Sequence, residues 1–117
     1  MRDSKRIATR AALAAAVMLA AGAQAAAAAD PPPARARALV EMVRQECGSC
    51  HGLTLKGGLG PALVPGALAD KDPEGLAFVI LQGRPGTAMP PWRNFMSEPE
   101  ARWIVRMLNK GLRDEKR

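Results

Sequence analysis

The sequence predicts an all-α fold of about three main helices joined by long loops wrapped round a flat object. Three observations carry that prediction. Apolar residues recur at three- and four-residue steps in separate segments, period-2 alternation is absent, and the intervening loops are rich in glycine and proline.

The chain opens on a basic stretch with Arg2, Lys5, Arg6 and Arg10, followed by an alanine-rich apolar run, 11–25, that ends at Ala23-Gln24-Ala25. A basic start, a short apolar stretch and a small-x-small end describe a secretory signal peptide, 1–25. Cleavage is expected after Ala25, although the alanines up to Ala29 offer other sites. The leader holds no Arg-Arg pair, which favours general secretion over the twin-arginine route. The competing reading is an alanine-rich soluble helix.

Export changes the balance of charge. The leader removes four basic residues and one acidic residue, so a net charge of +6 becomes +3 on 92 residues. A mild positive charge without a basic patch interleaved with aromatics argues against nucleic acid as a partner. No other apolar run is long enough to cross a bilayer, so the expected product is a periplasmic protein that does not span the membrane.

Residues 26–34, AAAADPPPA, read as a flexible lead-in, 35–113 as one domain and 114–117 as a charged tail. The first helix is expected over 34–47, its stripe formed by Leu39, Val40, Met42, Val43 and Cys47, with Pro31-Pro32-Pro33 as the stop before it. The second is expected over 72–83, with Asp72 as N-cap, Pro73 in the first turn and Gly83 at the end. The third starts at Ser97, which forms a capping box with Glu100. It presents Trp103, Ile104, Met107, Leu108 and Leu112 on one face up to about Gly111.

Between these helices lie two loops. Residues 52–70 contain five glycines and two prolines, and residues 83–93 contain two glycines and three prolines. Loops of that length in a compact domain are often functional. A domain of roughly 80 residues is marginal alone and usually needs a staple or cofactor. The aromatic inventory is only Phe78, Trp92, Phe95 and Trp103. Something else is expected to fill the middle.

Both cysteines and the single histidine fall within Cys47-Gly48-Ser49-Cys50-His51. This is the attachment pattern of haem c. Two thiols reach the two vinyl groups on one edge of a porphyrin, and the adjacent imidazole takes the iron from below as proximal ligand. Zinc would need a fourth ligand and blue copper a second histidine. A thioredoxin-type motif would need a βαβ pattern that the sequence lacks, and a disulfide across two residues would contribute little.

With one histidine, a sixth ligand to iron has to come from elsewhere, and methionine leads. Met1 and Met18 leave with the leader, Met42 and Met107 lie on helical stripes, and Met96 abuts the N-cap Ser97 as a packing residue. Met89 alone sits in a loop, followed by Pro90 and Pro91 and preceded by Gly86. It is the expected distal ligand, and the alternatives are a Met89 packed without bonding and an open iron. The Pro61 carbonyl can face the His51 ring N–H, or Pro61 can be a plain turn residue. Trp92 can donate its indole N–H to a haem propionate or simply cover the ring edge. Lys56, Arg84 and Arg93 can form a basic rim for an acidic partner or be merely solvated.

The order CGSCHG, GLGPAL, GTAMPPW and an amphipathic C-terminal helix resembles the small class I cytochromes c of bacteria over about 36–112. The run LQGRPGTAMPPWRNFMSEPEARWIVRML is similar to the cytochrome c-55X group of nitrite-reducing, denitrifying bacteria. The resemblance implies a cytochrome c fold with crossed terminal helices and one covalently attached haem c on Cys47 and Cys50. It also implies His51 as proximal ligand, Pro61 as its support and Met89 as distal ligand. The activity implied is single-electron transport, not catalysis, with a cytochrome cd1 nitrite reductase as partner and a membrane quinol-oxidising complex as possible donor. Two alternatives stand beside it: an accessory role in haem d1 insertion or maturation, and an enzyme or gas sensor with open iron.

Overall fold

The computed structural model describes residues 30–112; the expected signal peptide 1–25 and the charged tail 114–117 lie outside the described residues. Among the described residues the chain is helical with no strand. The first helix, α1 (Pro33–Met42), starts on Pro33, whose missing N–H is no loss in a first turn.

The helical path then continues further than 34–47. A π turn, Val43–Cys47, leads directly into a last α turn, α2 (Gly48–His51). In the π turn the Gly48 N–H donates to the Val43 carbonyl, five residues back. One extra residue in the turn re-aims the side chains that follow it. The attachment motif thus lies inside helix instead of just beyond its end.

A second departure is α3 (Pro65–Leu68), a single turn inside the segment expected to be loop. Then come α4 (Pro73–Gln82) and α5 (Glu98–Lys110), where the sequence places helices. The Asp72 carboxylate accepts from the Gly75 N–H at 2.7 Å, and Ser97 and Glu100 form both halves of the capping box. Gly83 and Gly111 end the two helices with φ of 68° and 78°, in the left-handed region that favours glycine.

Helix α5 is the organising element, with Ala101, Trp103, Ile104, Val105 and Leu108 buried. It packs on α4, α3 and α1. Leu39, Val43 and Val105 are the largest fully buried side chains, each worth about 1.5–3 kcal/mol of removal from water. Arg35 ties the first helix to the last: its guanidinium donates to both Glu100 carboxylate oxygens, at 2.7 and 3.1 Å, and to the Phe95 carbonyl at 2.8 Å. Of the four aromatics, only Trp103 is buried. Phe78 and Phe95 are 63% and 59% exposed, so aromatic packing does not close the centre.

Candidate functional site

The centre is a cavity of about 450 Å³ lined mainly by apolar side chains. That volume falls in the range of cofactor and small-molecule sites. Helix α4 contributes Leu76, Val79 and Ile80, and α5 contributes Ile104, Val105 and Leu108. The expected site residues Cys47, His51, Pro61 and Met89 all lie on the wall.

The helix before the motif explains two of these placements. Cys47 and His51 stand four residues apart on one helical path, so their side chains share a face. Cys50 is half-buried and outside the lining set. Both thiols are free. Burial pushes the Cys47 thiol up to about 11, with Glu46 and Cys50 adding to the rise. At neutral pH that sulfur is uncharged, and a thioether there would carry no charge either.

The imidazole is oriented by the loop that follows it. His51 Nδ1 lies 2.6 Å from the Pro61 carbonyl oxygen. A carbonyl only accepts, so Nδ1 carries the proton and Nε2 keeps a free lone pair suited to a metal. Gly60 supports the ring: a Cβ there would lie 2.7 Å from His51 Cε1 and Nδ1. The loop itself closes on the helix end, with the Gly60 N–H on the Cys50 carbonyl and the Gly57 N–H on the His51 carbonyl, both at 2.8 Å. These bonds satisfy helix-terminal carbonyls that otherwise have no partner. Leu55 anchors the loop in a left-handed backbone, φ 59°, with its side chain 7% exposed. That conformation costs a leucine about 1–2 kcal/mol, and burial of its side chain offsets the cost.

Met89 arrives on the loop that follows α4. Gly83 ends that helix so tightly that a Cβ on it would lie 2.7 Å from the Met89 carbonyl oxygen. The Arg84 N–H donates to the same oxygen at 3.1 Å, and the Met89 N–H donates to Thr87 Oγ1 at 3.3 Å. The loop then returns along the helix, where the Trp92 N–H reaches the Ile80 carbonyl at 3.0 Å.

Other residues fall differently from the sequence reading. Trp92 is not among the residues lining the cavity; it tilts against Phe95 with ring centroids 5.6 Å apart and borders a separate groove with Met42. Met96, expected to be a packing residue, is buried and also forms part of the cavity wall. Arg84 and Lys71 line the cavity, whereas Lys56 and Arg93 do not. Gly60 could have been found from the GLGP motif. Met96 and Lys71 left no signal, because nothing local tells which side chains border a cavity.

A chain that brings a thiol, a lone-pair imidazole and a loop methionine to one apolar cavity within helices alone has the build of a small c-type cytochrome. Residues 34–108 match the family described as cytochrome C oxidase, cbb3-type, subunit III. The chain is 54% identical over 77 residues to cytochrome c55X of Paracoccus denitrificans (strain Pd 1222), covering 66% of this chain and 75% of that protein. Among solved structures it is similar to the c-type cytochrome NirC, at 49% identity and a TM-score of 0.68 over 69% of this chain and 95% of that one. It is also similar to part of dihydro-heme d1 dehydrogenase NirN in complex with DHE, at 36% identity and a TM-score of 0.54, covering 59% of this chain but 15% of that one. The chain belongs to the cytochrome c55X family of c-type cytochromes.

Proposed function

We propose that this protein is a periplasmic monohaem cytochrome that carries single electrons to a cytochrome cd1 nitrite reductase in denitrification. One observation carries the reading: a single apolar cavity of about 450 Å³ receives Cys47 and His51 from one helix and Met89 from one loop. The residues fit a haem c. Cys47 and Cys50 would hold it by thioethers, His51 by Nε2 and Met89 by its sulfur. The bound group would supply reversible one-electron chemistry at iron.

The chain's own residues do the rest. The Pro61 carbonyl holds the His51 tautomer and raises the basicity of Nε2. The leucine, isoleucine and valine wall excludes water, which favours the less charged, reduced state. The hydrogen bonds across the 84–89 turn restrain the Met89 backbone, which suits small ligand movement on electron transfer. Among the described residues no helix is long and apolar enough to cross a membrane, which suits a mobile carrier.

A second reading, service in haem d1 maturation, is favoured by the similarity to dihydro-heme d1 dehydrogenase. Deleting the gene separates the two. Active reductase starved of electrons supports the carrier; reductase that fails to gain its haem d1 supports maturation. Absorption spectra of the exported protein, oxidised and reduced, test the shared premise. A low-spin c-type spectrum with sulfur ligation is expected, and carbon monoxide binding at neutral pH would point instead to an open iron.

A further inference from the structure

A haem brings two propionate carboxylates, and the cavity wall is otherwise almost wholly apolar. The lining set contains only two permanent cations, Lys71 and Arg84. The Lys71 ammonium is already engaged by the Asp70 carboxylate, at 3.0 and 3.1 Å. The Arg84 guanidinium has no hydrogen-bond or ion-pair partner among the described residues. Its backbone, by contrast, is fully committed. The Arg84 N–H donates to the Met89 carbonyl, and the Arg84 carbonyl accepts from the Thr87 N–H at 3.0 Å and from Thr87 Oγ1 at 2.7 Å. Trp92, whose indole N–H could serve a propionate, does not line the cavity.

We propose that Arg84 binds a haem propionate at the cavity mouth, joining the cofactor's carboxylate to the turn that presents Met89. The proposal rests on the haem reading above. A guanidinium fork matches a carboxylate with two parallel N–H bonds, and charge assistance makes such bonds about twice as strong as neutral ones. The same contact holds positive charge beside the ring, which disfavours the oxidised iron. It also places the bond at the start of the 84–89 turn, where it restrains the loop without touching the sulfur.

The test uses the purified holoprotein and three variants, Arg84→Gln, Arg84→Lys and Lys71→Gln, each read by resonance Raman spectroscopy and potentiometry. Arg84→Gln is expected to shift a propionate bending band and lower the midpoint potential. Arg84→Lys, which keeps the charge without the fork, is expected to shift the band while restoring most of the potential. Lys71→Gln is expected to leave the band in place. An unmoved band in both Arg84 variants overturns the proposal, as does a shift confined to Lys71→Gln. If Arg84→Gln does not fold, Arg84→Lys alone decides, because its charge and bulk are retained. A wild-type protein with no c-type haem spectrum would instead sink the reading on which the proposal rests.

Discussion

At the scale of single residues, the site depends on contacts that leave no room. Gly60 sits so near the imidazole that its α-carbon serves as the ring's support, and a methyl added there meets Cε1 and Nδ1 at 2.7 Å. Gly60→Ala is therefore expected to destabilise the holoprotein by about 1–3 kcal/mol, as overpacking does. Denaturant unfolding measures it, and an unchanged midpoint would show that the ring does not rest on this glycine. Met89 has the complementary part. Met89→Ala is expected to let the ferrous protein bind carbon monoxide and to lower its potential; ligand binding identical to wild type would refute the distal assignment. The thiols and the imidazole were legible because the chain holds no other cysteine or histidine, and Met89 because, of six methionines, it alone falls in a loop between glycine and prolines. Gly48, inside the motif, gave no hint that it lies in helix, since an i to i+5 register leaves no mark on a 3.6-residue periodicity.

At the scale of elements, caps and termini carried the sequence signal furthest. Asp72, Ser97 and Glu100 predicted both later helices because capping chemistry is local. The turn α3 was not legible: four residues behind Pro65 are too short to show any periodicity. The Ser97 and Glu100 cap has a consequence that scales with pH. Glu100 is held down to about 2 from an ordinary 4.5, first by the hydrogen bond from Arg35 and further by the Ser97 backbone N–H. A depressed folded pKa means the contribution is complete above about pH 4.5 and is lost as pH falls towards 2. With Arg35 37% exposed, solvent screening limits it to about 1 kcal/mol. Unfolding curves of wild type between pH 5 and 2, against Glu100→Gln, are expected to converge as acid is added. Parallel curves would remove the pair from the stability of the fold.

At the scale of the whole molecule, the cavity is the missing part of the core. Leu63, Leu76, Val79, Ile80, Met89 and Met96 all face it, so a chain without the cofactor leaves apolar surface unpaired. Cys47→Ala and Cys50→Ala are each expected to give little folded protein on export, measured by circular dichroism and yield. A well-folded, haem-free product would contradict the idea that the cofactor completes the interior. Composition alone pointed this way, because a small domain with few aromatics lacks filling. It could not show that Trp92 and Phe95 would pair elsewhere, which depends on how the loop after Met89 returns along α4.

The ion pair between Asp30 and Arg106, at 2.8 Å, settles a question of handling. Arg106 lies two residues from Ile104 and from Leu108, a rotation of about 200° that puts it on the side of α5 turned away from the cavity. The Asp30 side chain thus lies beside the face of α5 that is turned away from the cavity. A tag or electrode linker joined just ahead of that residue would leave the chain on the side of α5 opposite the cavity, clear of Cys47, His51 and Met89.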